Sequence, residues 1–152
     1  MNRIDKLLIH VELYSLTVDY WHDVDRNWGR NAPSYFIESG VFHAAGKVYS
    51  GRDQIEKFYR WRESRGARIA RHLVTNFQVI IEDETHATTH WVLSLYAADG
   101  VPVLPSAPPI QTADVTDVCI REKDGTWRYV SRTLVPLFQG GAPTTVPPAG
   151  AI

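Results

Sequence analysis

The second half of the chain constrains the fold most, because it consists of four strand-like runs in succession. The runs cover residues 68–82, 86–98, 110–122 and 126–136. Turns at Asp83-Glu84 and Lys123-Asp124-Gly125 join the first pair and the last pair. An Asp-Gly between two such runs is a strong hairpin signal. The pattern predicts a sheet of long antiparallel strands.

The first half predicts two helices. Residues 3–24 form the first, because apolar residues recur there at mostly three- and four-residue steps. These residues are Ile4, Leu7, Leu8, Val11, Tyr14, Val18 and Trp21. The helix should end between Asp25 and Gly29, where Asn and Gly favour termination. A second helix should begin at residues 51–53, carry Ile55, Phe58, Tyr59 and Arg62 on one face, and stop at Arg65-Gly66.

A short hairpin should lie between the helices, with residues 41–44 and 47–49 flanking a turn at Ala45-Gly46. Pro33 could open a short helix carrying Tyr35, Phe36 and Ile37. Helices and strands that do not alternate indicate an α+β fold. We expect a cone-shaped α+β barrel, in which a strongly curved mixed or antiparallel sheet packs the N-terminal helices on its concave side. Residues 99–109 hold four of the nine prolines and form a long loop, a candidate lid.

Composition limits the function classes. A chain of 152 residues is most economically one domain, here residues 1–138, with a flexible Pro/Gly-rich tail over 139–152. A net charge of -1 gives no electrostatic case for nucleic acid or membrane partners. The single Cys119 excludes an internal disulfide. No apolar run approaches the roughly 20 residues of a membrane span, and the N-terminus lacks the apolar core of a signal peptide, so a cytoplasmic location is expected.

A histidine lies early in the first long strand, in the stretch Arg71-His72-Leu73-Val74-Thr75-Asn76. Side chains alternate across a sheet, so His72, Val74 and Asn76 should share one face. A half-polar face is either wet or lines a cavity. On sequence alone, such a histidine is more often structural than catalytic.

Four local motifs stand in order along the chain. They are residues 20–28 (Tyr-Trp-His-Asp-Val-Asp-Arg-Asn-Trp), 49–55 (Tyr-Ser-Gly-Arg-Asp-Gln-Ile), 71–76, and 124–129 (Asp-Gly-Thr-Trp-Arg-Tyr) followed by Arg132. Together they resemble the SnoaL-like families of the nuclear-transport-factor-2-like superfamily, whose fold is a cystatin-like α+β cone. The resemblance covers most of residues 4–138 and is more specific for the fold than for an activity.

Within these families, the catalytic pattern is similar to that of hexachlorocyclohexane dehydrochlorinase and bile-acid dehydratase, and more loosely to that of scytalone dehydratase. The first two use an Asp–His pair as general base. A Lys or Tyr five residues before the Asp and an Arg in the last strand assist it. The matching positions here are Asp25, His72, Tyr20 and Arg132. Tyr in place of Lys favours the dehydratase side.

The resemblance implies a cofactor-independent lyase or isomerase, of the dehydratase, elimination or cyclase type, acting on a small apolar cyclic or polycyclic molecule. His72 would remove a proton and Asp25 would orient it, while Tyr20 would act as the acid and Arg132 would hold developing negative charge. No metal or other cofactor is expected. Substrate contacts are expected from Val74, Asn76, Asp117 and Leu134.

Several simpler interpretations stay open. Asp19 and Asp23 rival Asp25 as the partner of His72, and Arg132 could pair with Asp117 as a structural contact across the last hairpin. The basic run 60–65, with Arg68 and Arg71, is most simply the solvated face of a helix. His86 and His90 lie four residues apart, but in a strand and without a third ligand, so they predict no metal site.

Two other functions also remain: a non-catalytic small-molecule-binding or assembly domain, and a protein like the small subunit of a ring-hydroxylating dioxygenase. A homodimer or homotrimer is expected in either case, because the convex face of such a sheet usually needs cover. Trp91, Leu93 and Leu95 are the residues expected to supply that cover.

Overall fold

The computed structural model describes residues 1–44, 46–140 and 150. It contains two α-helices, one short 3-10 helix and six strands. In chain order they are α1 (Arg3–Asn27), the 3-10 helix (Ala32–Tyr35), β1 (Phe36–Ala44), β2 (Lys47–Ser50), α2 (Arg52–Ser64), β3 (Arg68–Ile81), β4 (His86–Asp99), β5 (Gln111–Arg121) and β6 (Trp127–Gln139).

The six strands form one mixed sheet in the order β2-β1-β6-β5-β4-β3. Strand β1 runs parallel to β6, and all other neighbours are antiparallel. The expected α+β class is therefore confirmed. The sheet is open rather than a closed barrel, because β2 and β3 form its two edges.

The sheet is strongly curved. One small cavity is lined by residues of five strands: Phe42 and Ala44, His72, Leu93 and Leu95, Gln111, and Leu134. In a flat sheet β1 and β3 would lie ~19 Å apart, at four spacings of about 4.8 Å each. They meet at one cavity because the sheet wraps around it. Residues of α1 and α2 line the same cavity, so both helices pack on the concave side, as expected.

Most of the apolar stripe that predicts α1 is exposed. Ile4, Leu7, Leu8 and Val11 are more than half exposed, and Tyr14 and Val18 are also exposed, although the Tyr14 ring contacts Phe77 of β3. The helix is held by Trp21, the last member of the stripe, together with a second apolar set: Ile9, Leu13, Tyr20 and Val24, all buried. The helix itself is confirmed, but the stripe did not indicate its buried side, because α1 is apolar on both sides.

The strand alternation from which His72, Val74 and Asn76 were expected to share one face is interrupted at Asn76. Asn76 has a left-handed backbone with φ of 54°, and the register with β4 shifts between Thr75 and Gln78. This β-bulge reverses the alternation, so that Val79 rather than an even-numbered residue lies opposite the buried Thr89. Asn76 itself is exposed.

Other boundaries are mostly confirmed. Helix α1 ends at Asn27 and is followed by Trp28 and Gly29, both in left-handed conformations. Pro33 opens a 3-10 helix that ends at Tyr35, and Phe36 already belongs to β1, so the short helix does not carry Phe36 and Ile37. Strand β6 includes Gln139, the first residue of the expected tail. Ala45 and most of the tail lie outside the described residues.

Two expectations about surfaces are corrected. Trp91, Leu93 and Leu95 are buried on the concave side, so they do not cover the convex face. The proline-rich loop does not reach the cavity: Leu104 to Pro108 lie beside Ile69, Arg71 and Tyr96 around a surface depression of ≈ 220 Å³. Arg71 and Tyr96 pair on the face opposite His72, so this part of the loop packs on the convex side.

Candidate active site

A buried Asp–His pair joins the last turn of α1 to the edge strand β3. His72 Nδ1 lies 2.6 Å from one carboxylate oxygen of Asp25. The backbone N–H of His72 donates to the other oxygen at 2.8 Å. The two side chains are only 5% and 7% exposed. Because the carboxylate accepts the Nδ1 proton, neutral His72 carries its lone pair on Nε2, which is the form required of a base.

Trp21 covers the imidazole of His72. The two rings are stacked, with centroids 4.0 Å apart and planes 9° apart. Burial lowers the pKa of His72 below its usual value, and the charges of Arg62 and Arg132 lower it further, while the hydrogen bond to Asp25 opposes the shift. A lowered pKa keeps the imidazole neutral near pH 7, so that it can accept a proton.

The structure selects Asp25 from the three candidate carboxylates. Asp23 is buried but occupied: it accepts hydrogen bonds from the Asn27 side chain and from the backbone and side chain of Asn31. These contacts fix the chain where it leaves α1. Asp19 is exposed. The five-residue spacing from Tyr20 to Asp25 therefore picked the right carboxylate.

Tyr20 does not line the small inner cavity beside His72; it is connected to that cavity through Tyr59. The two hydroxyl groups share a short hydrogen bond, and both rings are fully buried. Tyr59 lines the inner cavity with His72. Burial raises the pKa of Tyr20 to about 12 and the pKa of Tyr59 well above its usual value, so both hydroxyls stay protonated donors.

Arg132 is fully buried and paired with Asp117. Its Nε and Nη2 donate to the two carboxylate oxygens at 2.7 and 2.8 Å, and Nη2 also donates to the Tyr129 hydroxyl at 2.8 Å. Asp117 accepts a further hydrogen bond from Trp91 Nε1 at 2.9 Å. Burial acts to lower the pKa of Arg132, but the Asp117 and Tyr129 oxygens raise it above its usual value. The structural pairing across the last hairpin is thus present.

The Arg132 guanidinium also lies over aromatic rings. Its Cζ is 4.5 Å from the ring centroid of Tyr20 and 4.1 Å from that of Tyr129. Its third nitrogen, Nη1, is buried without a hydrogen-bond partner. Arg132 does not line the inner cavity. Its guanidinium therefore contacts the ring of Tyr20 and not a ligand in that cavity.

Two spaces flank His72. The inner cavity, of ≈ 30 Å³, lies inside the cone and is lined by Trp21, Tyr59, Arg62, His72 and Gln111 together with apolar side chains. This is room for about one or two waters. An outer groove of ≈ 220 Å³ runs between α1 and β3 and is also lined by Trp21 and His72. The stacked pair therefore forms the wall between the two spaces.

The expected substrate contacts fall in different places. Leu134 lines the inner cavity and Val74 lines the outer groove. Asp117 is held by Arg132, and Asn76 is exposed at the bulge. The structure brings Leu134 and Val74 next to His72 and leaves the other two apart.

Sequence reasoning missed two residues of the cavity, Tyr59 and Arg62. Arg62 was interpreted as part of the solvated face of α2, yet it lines the inner cavity. The signal was present in the spacing, because Arg62 follows Ile55, Phe58 and Tyr59 on the same helical face and those three are buried.

The described residues show neither a metal-binding cluster nor a membrane-spanning helix. In residues 1–44 and 46–140, no group of three or more His, Cys, Asp or Glu side chains is arranged to hold a metal ion. His86 contacts Asp83, and His90 contacts Thr116. No helix in the described part of the chain is long and apolar enough to cross a membrane.

An open, strongly curved sheet with helices in its concavity defines a cystatin-like α+β fold, and the Asp25–His72 pair lies inside it. Residues 5–133 match the model of the SnoaL-like domain family. The chain therefore belongs to the SnoaL-like domain family, as the four sequence motifs predicted. No curated protein is similar enough in sequence to count as a match.

Solved structures share the fold at low sequence identity. A proposed scytalone dehydratase from Novosphingobium aromaticivorans is 18% identical and superposes with a TM-score of 0.81, covering 94% of this chain and 93% of its own. An NTF2-like protein with a cystatin-like fold from the same species is 19% identical, with a TM-score of 0.72 and coverage of 91% and 88%. A Catenulispora acidiphila protein in complex with S-DNPA is 20% identical, with a TM-score of 0.71 and coverage of 86% and 94%. At these identities the likeness shows the fold alone.

Proposed function

We propose that this protein is a cofactor-independent lyase or isomerase of the dehydratase or cyclase type. The observation that carries the proposal is the buried Asp25–His72 pair, in which both carboxylate oxygens are committed to His72 and Nε2 is left for a substrate. The SnoaL-like family and the fold shared with a proposed scytalone dehydratase support the same class of reaction.

The chemistry follows from the geometry. Nε2 of His72 takes a proton from a carbon next to a carbonyl group, and Asp25 stabilises the imidazolium that forms. In a dehydration, the same proton then passes to the leaving hydroxyl group, which departs as water while the carbon–carbon double bond forms. The Tyr59 hydroxyl, held by Tyr20, donates a hydrogen bond to the departing oxygen. In this scheme Tyr20 acts through Tyr59, and the positive charge of Arg132 partly offsets the rise that burial causes in the pKa of both tyrosines.

A substrate needs more space than the inner cavity has. Small-molecule sites occupy about 300–1,000 Å³, roughly ten times the space found here or more. The Trp21–His72 wall separates this cavity from the larger outer groove. We propose that a cyclic substrate enters by displacing this wall or the side chains that line the cavity, so that its carbonyl end lies inside the cone.

The test is proton abstraction, which does not require the natural substrate. A panel of cyclic and polycyclic ketones is incubated with the protein in D₂O, and deuterium uptake next to the carbonyl is followed by NMR. We expect the wild-type protein to catalyse exchange, and His72→Gln to lose it by 10²-fold or more.

The matched control is His90→Gln. His90 also lies on a long strand, but its ring contacts Thr116 on the opposite face. This variant should exchange as fast as the wild type. Equal exchange in the His72 and His90 variants, with both folded, would mean that His72 is not the base.

The second candidate function is a non-catalytic small-molecule-binding domain. Two observations favour it: the inner cavity is small, and Arg132 is neutralised by Asp117 instead of facing a ligand. The two candidate functions predict different results in the D₂O experiment. A ketone that binds in the cavity, detected by its effect on the His72 ring resonances, without any exchange in D₂O would identify this function.

We also propose that the chain forms a homodimer or homotrimer through α1. The exposed stripe from Ile4 to Val18 is an unusually large apolar surface for a monomer. Leu8→Lys should reduce the molar mass measured by light scattering, whereas Lys6→Glu, a charge change without apolar loss on the same helix, should not. A wild-type mass of one chain would contradict the proposal.

A further inference from the structure

Arg62 places a positive charge at the inner cavity, opposite the catalytic pair. It lies in the last turn of α2 and lines the cavity together with His72, Tyr59 and Gln111. It is close enough to Asp25 for the carboxylate charge to act on it. The cavity therefore lies between a base on β3 and a cation on α2.

This cation has no counter-ion. In the described part of the chain, no carboxylate lies within salt-bridge distance of Arg62, and its side chain makes no hydrogen bond. Its neighbours on α2 differ: Arg60 pairs with Glu63, and Arg65 lies 4.0 Å from Asp99. Arg62 is only partly exposed, and this burial lowers its pKa. A partly buried charge is stabilised by an anion, so the cavity offers an anion a place beside Arg62.

A second donor near the cavity is also unpartnered. Trp21 lines the cavity, and its Nε1 is buried without a hydrogen-bond partner. Buried polar groups almost always have partners, and an exception at a cavity indicates an absent ligand or water. The cavity is thus lined by a guanidinium without an ion pair and by an indole whose N–H has no partner, and no carboxylate lines it. This makes the cavity an environment for oxygen acceptors.

We propose that Arg62 binds the anionic oxygen of the substrate in the inner cavity, and that the substrate class is a hydroxy-ketone that passes through an enolate. This inference rests on the proposed function and replaces Arg132 by Arg62 as the group that holds negative charge. The small size of the cavity fits a single carbonyl group better than a ring. The ring system of the substrate then extends towards the Trp21–His72 wall.

The reaction balances without an added reagent. His72 Nε2 takes the proton, and the electron pair of the broken C–H bond moves through the carbon to the carbonyl oxygen. The resulting oxyanion accepts hydrogen bonds from Arg62. When the carbon–oxygen bond of the leaving hydroxyl breaks, the enolate electrons form the carbon–carbon double bond and the carbonyl is restored. The proton on His72 leaves with the hydroxyl as water. Arg62 interacts most strongly with the charged intermediate, so it lowers the barrier rather than only binding substrate.

The test uses formate, a carboxylate small enough for a cavity of ≈ 30 Å³. Formate is titrated into the intact protein at constant ionic strength, and the ring resonances of His72 are followed by NMR. We expect a saturable shift in the wild type. Arg62→Gln should weaken formate binding by at least tenfold, because it removes the charge and keeps a polar side chain.

Two controls isolate the charge. Arg65→Gln, on the same helix but exposed, should bind formate like the wild type. Formamide, which has nearly the same shape as formate and no charge, should cause no saturable shift. Arg62→Met provides a second variant that fills the same space. Both Arg62 variants should unfold at the same urea concentration as the wild type or higher, because they remove a partly buried cation that has no ion pair.

The formate titration and the deuterium-exchange assay test the anion site and the lyase activity separately. No saturable shift in the wild type, or equal formate affinity in the wild type and Arg62→Gln, overturns the anion site. The titration requires no turnover, so formate binding at Arg62 combined with no deuterium exchange would reject the lyase and leave the anion site standing. If exchange occurs, Arg62→Gln should lower kcat by about 10²–10³-fold with little change in KM.

Discussion

Trp21 lies flat on the imidazole of His72, with the ring centroids 4.0 Å apart and the planes 9° apart. The indole lies next to Tyr20 on α1, and the imidazole is held by Asp25 one turn further along the same helix. One helix end therefore supplies the orienting carboxylate, the aromatic cover and the tyrosine behind the acid. The stack also separates the small inner cavity from the open outer groove, so Trp21 shields His72 from the groove.

Replacing the Trp21 indole by a smaller ring should change the pKa of His72. In Trp21→Phe the ring is smaller and water gains access to His72. Burial is the largest cause of the lowered pKa of His72, so we expect that pKa to move up towards its usual value of about 6.5. NMR titration of the His72 ring gives the value directly. The pH below which deuterium exchange slows should rise together with this pKa.

Trp61→Phe is the control for that measurement. Trp61 is on α2, is only partly buried and stacks with Arg65 rather than with His72. Its substitution should leave the pKa of His72 unchanged. An unchanged His72 titration in Trp21→Phe as well would show that the indole does not exclude water from the base.

The lowered pKa of His72 also predicts how stability depends on pH. The unfolded chain takes up a proton at His72 near pH 6.5, whereas the folded chain takes it up only at lower pH. In this window the unfolded state binds more protons, so the contribution of His72 to folding is complete above pH 6.5 and decreases as the pH falls. Urea unfolding of wild type and His72→Gln at several pH values measures it. The stability difference between the two proteins should shift in favour of the variant below pH 6.5, and a constant difference would contradict the lowered pKa.

Removing one partner of the buried Arg132–Asp117 pair should cost far more stability than replacing both partners. Asp117→Asn leaves a fully buried guanidinium without a countercharge, which costs about 3–5 kcal/mol of unfolding free energy. Replacing both partners by apolar residues, as in Asp117→Leu with Arg132→Met, removes both charges and should cost much less. Urea unfolding of the single and double variants gives the comparison. If the double variant is as unstable as the single one, the pair stabilises the fold by more than the mutual neutralisation of its two charges.

Features that depend on neighbouring residues in the chain could be predicted from the sequence. The strand runs and the Asp-Gly turn are local signals, and the strands formed within a few residues of their predicted ends. The Tyr20–Asp25 spacing also held, because the two residues lie on one helix. Local chemistry of this kind can be read along the chain.

Contacts between elements could not be read in the same way. The stripe from Ile4 to Val18 obeys helical spacing, yet a second apolar set on α1 faces the sheet, and sequence periodicity does not rank two apolar sides. The bulge at Asn76 reverses the strand alternation without any Gly or Pro to announce it. Arg62 shares a helical face with the buried Ile55, Phe58 and Tyr59, but its place in a run of basic residues favoured a solvated position.

Gly29 packs the chain just after α1 closely against the ring of Tyr59. Its φ is +66°, a left-handed conformation, and a Cβ placed there would lie 2.5 Å from a ring carbon of Tyr59. Gly29→Ala should therefore cost more than the roughly 1–2 kcal/mol of left-handed strain alone, and it should displace the Tyr59 ring. Gly66→Ala is a matched control, because Gly66 has φ of +94° but no atom within 4 Å of a Cβ. We expect urea unfolding to show the larger loss in Gly29→Ala, and the Tyr59 ring resonances to shift only in that variant. Equal losses with an unmoved Tyr59 ring would mean that the close approach of Gly29 to this tyrosine has no energetic consequence.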